Sequence, residues 1–194
     1  IVIALQSAYQ MQKLSAEIYI AALVSLSVVR ELGPVITGLV VAGRVGASVS
    51  AELGTMNVTE QIDAMEAMAT DPVQYLVIPR FLALLIMLPI LTVYADIIGI
   101  LGGFLIGVTK LGIGATQYLR LTFEALSMKD IYSGFSKPIV FAVIIALISS
   151  QEGFIAKGGA EGVGKATTRT VVNTFILIIM ADCLITAFFY FIRI

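Results

Sequence analysis

Histidine is missing from this sequence, and Cys183 is its only cysteine. Without histidine, the usual metal clusters and the Ser-His and Cys-His catalytic arrangements are excluded. A lone cysteine inside an apolar segment excludes a disulfide framework and a cysteine-based metal site. Charged residues make up only 13% of the chain and the net charge is -1. This balance favours neither a nucleic-acid partner nor a polybasic lipid anchor.

Apolar residues, by contrast, make up 59% of the chain, and the mean hydropathy is +1.00. These values are typical of an integral membrane protein. The chain opens on Ile1 without a methionine and reads IVIALQ, which looks like the end of an earlier span. We therefore expect that a preceding segment is missing, and no signal peptide can be read.

The long apolar runs predict an all-α, polytopic helical bundle with four complete spans and the end of a truncated first span. A span needs about 20 apolar residues. The predicted spans are a kinked helix from Ile18 to Ala51, Phe81 to Val108, residues 131–149 and Thr170 to Ile192. A polar stretch at 109–137 and a glycine-rich polar loop at 151–169 separate the later spans. We treat the whole chain as one transmembrane domain.

Arg30 and Glu31 interrupt the first of these runs, between AALVSLSVV and LGPVITGLVVAG. A charge at membrane depth costs roughly 2.5–3.5 kcal/mol and usually faces a bundle interior or a cavity. Pro34, after Gly33, offers no N–H to the carbonyl of Arg30, so we expect a kink or an opened turn there. The alternative is that the charged pair ends one helix at the interface and Pro34 begins another.

The segment after this span predicts a short amphipathic helix at 57–71, outside the membrane. Asn57 is a plausible N-cap with Glu60 three residues later, and Asp71-Pro72 ends the pattern. One side carries Ile62, Met65, Met68 and Ala69, and the other carries Glu60, Asp63 and Glu66. Docking onto a soluble partner fits this pattern. The alternative is a helix lying in the headgroups, but such helices are rich in Lys and Arg, and Gln61 to Leu76 has neither.

Two further patterns lie inside the spans. Gly99, Gly103 and Gly107 form a doubled GxxxG, and small residues at this spacing let membrane helices approach closely. Asp96 and Asp182 are isolated carboxylates. Each either lines a proton or ion path or bonds to a hydroxyl of a neighbouring helix, and the sequence does not decide between these interpretations.

The segment GAEGVGKAT, from Gly159 to Thr167, partly fits a P-loop. Gly159, Gly164 and Lys165 are in register, but Ala166 replaces the hydroxyl that would hold magnesium. A P-loop also follows a buried strand, whereas this segment follows a membrane span. We therefore interpret it as a loop that leads into a helix beginning at Thr167 or Thr168.

Lys and Arg counts leave the membrane orientation open. Assigning the basic residues to alternate sides gives five on one side and six on the other. The rule that cytoplasmic loops are enriched in Lys and Arg therefore makes no prediction here.

Long stretches of the chain resemble the MlaE (YrbE) family, the permease subunits of MCE-associated lipid-transporting ABC systems. The resemblance is carried by RELGPVITGLVVAGRVGASVSAELGTMNVTEQIDAMEAMATDPVQYLVIPRFLA, and it continues through GGFLIGV, SKPIVFAVIIALISSQEGF and GVGKATTRTVV. It covers nearly the whole chain. The family's N-terminal membrane-associated helix and most of its first span have no counterpart here.

The resemblance implies a multi-pass homodimer in the bacterial inner membrane. Two ABC ATPase subunits, which bind ATP and Mg²⁺, would lie on its cytoplasmic side, with a small STAS-domain subunit as a possible addition. MCE-domain subunits would form a periplasmic ring, and phospholipid would move between the inner and outer membranes. No cofactor, nucleic acid or catalytic activity is expected in this chain itself.

The resemblance also implies roles for particular residues. It places residues 52–80 and 151–169 in the cytoplasm and 109–137 in the periplasm. The lipid cavity at the dimer interface would be lined by Arg30, Glu31, Met11 and Leu14, beside the kink at Gly33 and Pro34. The coupling helix in a groove of the ATPase would present Glu60, Gln61, Asp63, Met65, Glu66 and Met68.

Three other functions compete with this interpretation. An ion-coupled secondary transporter would use the intramembrane carboxylates Asp96, Asp182 and Glu31 and would need no ATPase. An intramembrane enzyme acting on lipids would need a nucleophile and a base, which the lack of histidine disfavours. A structural scaffold would tolerate loss of the charge at Glu31.

Overall fold

The structure, a computed structural model, describes residues 2–13 and 19–192, and within these ranges it contains helices and turns but no β-strand. The polytopic all-α architecture predicted from the sequence is confirmed. The helices are α1 (Val2–Lys13), α2 (Ile20–Ser27), α3 (Gly33–Val41), α4 (Ala47–Val58), α5 (Gln61–Ala67), α6 (Ile78–Thr109), α7 (Ala115–Ala125), α8 (Met128–Phe154) and α9 (Gly159–Ile192).

Four helical runs of the described chain are long and apolar enough to cross a membrane, as predicted. They are Ile20–Val58, Val73–Thr109, Met128–Phe154 and Gly159–Phe191. The first run joins α2, α3 and α4 through two π-helical turns, Val28–Leu32 and Ala42–Gly46, and a third π-helical turn, Val73–Val77, leads into α6. Because the helical run Ile20–Val58 passes through Pro34 without a break, the alternative of a separate helix beginning at Pro34 is wrong.

The glycine-rich loop expected at 151–169 is also wrong. Helix α8 continues to Phe154 and α9 already begins at Gly159. Ala, Glu and Lys between these glycines are strong helix formers, and Glu161 pairs with Lys165 one turn later at 2.7 Å. The P-loop-like segment is therefore helical. Gly158 and Gly159, with φ of 92° and 71°, form the tight turn that reverses the chain.

The chain folds into two compact units, each made of two or more separate stretches. Of the described residues, unit 1 contains 2–13, 19–34 and 90–136, and unit 2 contains 35–89 and 137–192. The boundaries inside the helices fall at or within two residues of Pro34, Pro89 and Pro138. Each change from one unit to the other within a helix thus occurs near a proline, which removes a backbone N–H donor from that helix.

Unit 1 packs α2 against α1, the second half of α6 and α7. Its core consists of two clusters of buried side chains, one around Ile20, Val24 and Val28 and the other around Ala21 and Tyr118. A Cβ at Gly99 would lie 2.8 Å from Val28, and one at Gly103 would lie 2.7 Å from Val24. Glycine at these positions lets the backbone of α6 lie against α2.

Unit 2 packs α3, the first half of α6, α8 and α9 around one large apolar cluster. Its fully buried members include Ala42, Leu88, Phe141, Ile145 and Ile178. A second cluster holds the end of α4 against α5, and it contains Val49, Leu53, Ile62 and Leu76. In a bilayer, such close packing stabilises helix association mainly through van der Waals contact.

Candidate functional site

The charged pair of the first span lies in an opened helical turn. Arg30 and Glu31 belong to the π-helical turn Val28–Leu32, and the N–H of Gly33 donates to the carbonyl of Val28, five residues earlier. Pro34 follows and has no N–H to continue the regular ladder. The opened turn that the sequence predicts beside Pro34 is therefore present, and it places both side chains on a widened part of the helix.

Asp130 is the ionic partner of Arg30 in unit 1. The two charged groups are 3.5 Å apart, with the Asp130 side chain 14% exposed and that of Arg30 42% exposed. The Asp130 carboxylate also accepts hydrogen bonds from the N–H and the hydroxyl of Ser127, at 2.9 and 2.6 Å. The same carboxylate thus caps the start of α8 and meets the opened turn of the first span. Sequence reasoning did not find Asp130, because its partner is distant along the chain.

Asp96 lies against the opened turn from α6. A Cβ at Gly33 would overlap the Asp96 carboxylate, so only glycine at position 33 allows this approach. Its Oδ1 is buried and has no hydrogen-bond partner among the described residues. Of the two interpretations of Asp96, bonding to a neighbouring hydroxyl therefore lacks support at this oxygen.

The other residues predicted for the lipid cavity are placed only in part. Met11 is half-buried beside the cluster that contains Ile20 and Val28, and Glu31 is partly buried. Leu14 lies outside the described residues. Unit 1 thus contains Met11, Arg30 and Glu31 together with Gly33, Pro34, Asp96 and the glycines of α6.

The amphipathic segment differs from its prediction. Asn57 is not an N-cap, because it belongs to α4, and its side-chain amide donates to the carbonyls of Phe154 and Ala156 at 2.8 and 3.0 Å. Helix α5 begins only at Gln61, after Glu60, whose φ of 58° is left-handed. A side chain that satisfies distant carbonyls at the end of α8 cannot also serve as a local cap.

Only part of the predicted apolar stripe is buried. Ile62 is buried and Met65 packs beside it against the end of α4 and Leu76. Met68 is 72% exposed, and Ala69 follows α5 in a left-handed conformation with φ of 57°. Met68 is exposed because α5 ends at Ala67, so the helical spacing that would have placed it on the buried side is lost.

The acidic side of α5 is open to solvent. Exposed side chains here are those of Glu60, Gln61, Asp63, Glu66 and Met68. Asp71 accepts hydrogen bonds from the N–H groups of Val73 and Gln74 at 2.9 and 3.4 Å, which begins the next helical run. Arg80, near the start of α6, pairs with Glu52 of α4 at 3.0 Å. The result is an anchored short helix that presents carboxylates and one methionine.

Lys137 and Asp182 form a buried ion pair that sequence reasoning missed. Their charged atoms are 2.8 Å apart, and the Lys137 side chain is fully buried. The sequence does contain a signal for this pair. Helices α8 and α9 form a hairpin around residues 155–158, and the distances of Lys137 and Asp182 from this hairpin, measured along their helices, differ by less than about two turns. The neutralised Asp182 is thereby a weak candidate for an ion path.

Apolar spans, a charged opened turn within one of them and an anchored acidic helix between two others are features of the membrane-spanning subunit of a transporter. Comparison with known proteins identifies the family to which this subunit belongs. The chain belongs to the MlaE permease family, since the family model described as Permease MlaE matches residues 1–188. It is thus a permease of the ABC transporter class, a subunit type without catalytic activity of its own.

Named relatives agree with this assignment. A probable ABC transporter permease protein of Rickettsia prowazekii is 51% identical over 97% of this chain and 73% of its own length. A probable ABC transporter permease protein of Synechocystis is 43% identical over 84% of this chain and 62% of its own. The intermembrane phospholipid transport system permease protein MlaE of Haemophilus influenzae is 38% identical over 97% of this chain and 73% of its own.

Proposed function

We propose that this chain is the permease subunit of an ABC system that moves phospholipid between the inner and outer membranes of a bacterium. In this proposal it is a homodimer in the inner membrane. A separate ABC ATPase hydrolyses ATP on the cytoplasmic side, with a small STAS-domain subunit as a possible addition, and MCE-domain subunits receive or deliver lipid in the periplasm. The name of the Haemophilus relative supports the choice of substrate.

The observation that carries the proposal is that α5 has one side anchored to its own chain and one side exposed to solvent. One side of this helix is fixed to its own chain through Ile62 and Met65, while Glu60, Asp63 and Glu66 project into solvent. A helix with one anchored and one open, charged side suits a second protein with a basic groove. An ATPase seated there would push on α4 through the buried contacts of Ile62.

The kinked first span is the proposed moving part. Helix α4, which α5 contacts, continues the helical run that begins at Ile20 and contains both π-helical turns. Turns of this type are common at functional hinges. ATP-driven closure of the partner subunits would tilt this run and change the space beside Glu31 and Arg30, so that a lipid is admitted or expelled. Helix α5 transmits force in this scheme and performs no hydrolysis.

Charge reversal on α5 tests the proposal. The double variant Glu60→Lys, Glu66→Lys is expected to lose most of the ATPase that co-purifies with the chain, and to lower the ATPase rate of the assembled complex. Glu124→Lys is the matched control, because Glu124 is an exposed acid on α7, in unit 1. Unchanged co-purification and an unchanged ATPase rate in the double variant would contradict the proposed docking.

The proposed role of Glu31 in a lipid cavity needs a separate test. Glu31→Leu is expected to reduce the phospholipid that co-purifies with the complex while the ATPase remains bound. A variant that loads lipid as well as the wild type would argue for a scaffold, in which the charge at Glu31 has no role.

One observation favours a second candidate, an ion-coupled secondary transporter. The Asp96 carboxylate oxygen that lies buried against Gly33 has no hydrogen-bond partner among the described residues, and such intramembrane carboxylates often carry protons or ions. In this case the chain alone, reconstituted without an ATPase, would drive uphill transport from an ion gradient, and Asp96→Asn would abolish it.

A further inference from the structure

The hairpin between α8 and α9 encloses a small cavity in unit 2. Its volume is about 160 Å³, and the residues that line it include Glu152, Lys157, Gly162, Lys165 and Arg169. Gly162 is required for the close turn, because a Cβ there would overlap the carbonyl of Lys157. The P-loop-like segment therefore supplies one wall of this cavity, although its helical conformation removes the phosphate-cradling loop.

Three cationic side chains line the cavity. Lys165 pairs with Glu161 at 2.7 Å. Within the described part of the chain, neither Lys157 nor Arg169 forms an ion pair, and both are exposed. Two cations that form no ion pair at one cavity can bind an anion, and a phosphate group accepts hydrogen bonds from both lysine and arginine.

Glu152 also lines this cavity, and one oxygen of its carboxylate lacks a donor. Its Oε1 accepts a hydrogen bond from the side-chain amide of Asn173 at 3.2 Å. Its Oε2 is buried and has no partner among the described residues. A buried carboxylate oxygen without a donor is costly. A ligand that brings both a phosphate and a hydrogen-bond-donating cation would satisfy Lys157, Arg169 and Glu152 at once.

The cavity continues into an open groove on α9, about 620 Å³ in volume, whose lining passes from Lys165, Thr168 and Arg169 to Val172 and Asn173. Farther along α9, Val172, Ile176 and Ile179 are each about half exposed. The apolar stretch from Thr170 to Ile192 is about 35 Å long at 1.5 Å per residue, slightly more than a hydrocarbon core of about 30 Å. Arg169 therefore lies at headgroup depth, with an apolar strip leading away from it.

We propose that this cavity is a resident binding site for the headgroup of a phospholipid that carries a primary amine, such as phosphatidylethanolamine. The phosphate lies between Lys157 and Arg169, the ammonium group donates to the Glu152 carboxylate, and an acyl chain follows Val172 and Ile176. Phosphatidylcholine fits less well, because its quaternary ammonium has no N–H to donate. The site lies in the α8–α9 hairpin and does not depend on transport.

Lipid bound here would stabilise the contacts that hold the segment before α5 in place. The carbonyls of Phe154, at the end of α8, and of Ala156, in the turn that follows, accept the two hydrogen bonds from Asn57 of α4. The headgroup would hold residues on both sides of this turn, Glu152 before it and Lys157 and Arg169 after it. Its occupancy is thereby linked to the position of the segment from Asn57 into α5.

The test uses the chain purified in mild detergent from vesicles of equimolar phosphatidylethanolamine and phosphatidylcholine, with the retained lipids counted by native mass spectrometry. We expect about a tenfold preference for phosphatidylethanolamine, as a charge-assisted hydrogen bond supplies at least this factor. Glu152→Gln keeps an acceptor for Asn173 and should remove the preference. Lys157→Ala with Arg169→Ala should reduce retention of both lipids by about tenfold, and Lys110→Ala is the control for loss of a cation elsewhere.

Several results would overturn the proposal. Equal retention of the two lipids by the wild type, or a preference that survives in Glu152→Gln, would remove the role of the ammonium contact. A series of mono-, di- and trimethylated phosphatidylethanolamines checks the same contact in the wild-type chain, and retention must drop at the third methyl group, which removes the last N–H. If soluble phosphoethanolamine or inorganic phosphate displaces the lipid at micromolar concentration, the ligand is a free phosphate compound and not a lipid.

Discussion

The Nζ of Lys137 and the Oδ1 of Asp182 are 2.8 Å apart, in spans whose other charges are few, and the Lys137 side chain has no exposed surface. A buried pair of this kind contributes little net stability compared with apolar residues of the same size. Removing one partner, in contrast, leaves a buried charge without compensation. We therefore expect the pair to matter more for the register between α8 and α9 than for the stability of the fold.

Lys137→Met is expected to destabilise the protein strongly, by about 3–5 kcal/mol, because the Asp182 carboxylate loses its cation. The double variant Lys137→Met, Asp182→Leu should regain most of this loss. Thermal unfolding in detergent, followed by circular dichroism, measures both. Equal loss in the single and double variants would show that the charges are not coupled.

Asn57→Ala is expected to destabilise the protein by about 1–2 kcal/mol, because the carbonyls of Phe154 and Ala156 lose the donors that reach them from α4. Amide hydrogen exchange should accelerate at residues 155–158 and in α5. Thr59→Ala serves as the control, since its hydroxyl bonds only to the local backbone of α4. Exchange that is faster in both variants to the same degree would contradict a specific role for Asn57.

Gly33→Ala is expected to destabilise unit 1 by about 1–3 kcal/mol, because the new methyl group overlaps the Asp96 carboxylate. Adding Asp96→Ala should restore stability by removing the overlapping atoms, and a double-mutant cycle measures the coupling. Gly43→Ala is a suitable comparison: its Cβ would meet the Phe175 ring at an ordinary 3.6 Å. A Gly33→Ala variant as stable as Gly43→Ala would contradict the close approach.

Tyr118, on α7 outside the spans, should titrate above the ordinary range of a tyrosine, because burial raises the pKa of its phenol. The folded state then holds this proton more tightly than the unfolded state does. Its contribution to stability is complete below the ordinary tyrosine pKa of about 10 and is lost as the pH rises above it. The difference in tyrosinate absorbance between the wild type and Tyr118→Phe, measured against pH, should show the transition of Tyr118 above about pH 10.

The same substitution should not weaken the fold at neutral pH. The hydroxyl of Tyr118 is buried without a hydrogen-bond partner among the described residues, so its removal leaves no donor or acceptor unsatisfied. The edge-to-face contact of the ring with Phe104, at a centroid distance of 5.6 Å, remains possible for phenylalanine. A clear loss of stability in Tyr118→Phe would indicate that the hydroxyl has a partner in the membrane-embedded protein.

The sequence predicted features that depend on local order. Apolar runs of sufficient length predicted the four spans, and Pro34, which has no N–H, predicted the opened turn beside Arg30. The prediction of a loop at 151–169 was wrong, because it gave more weight to the number of glycines than to the Ala, Glu and Lys that make this segment helical.

Features that depend on distant partners were not predictable in the same way. Asn57 matched a capping pattern, yet its amide satisfies carbonyls almost a hundred residues later. Lys137 was assigned to a polar segment because its acidic partner lies on another helix. The roles of Arg30, Glu31, Met11 and the acidic residues of α5 remain predictions, and Leu14 lies outside the described residues.

The placement of Lys137 before Asp182 in the chain also matters while the protein is being made. At roughly 5–20 residues per second, Asp182 leaves the ribosome on the order of seconds after Lys137. During this interval α8 would enter the bilayer with an unpaired ammonium group, or would wait at its surface until α9 arrives. Membrane insertion of α8 and α9 as a pair avoids that cost, so the buried ion pair makes the biosynthesis of these two helices interdependent.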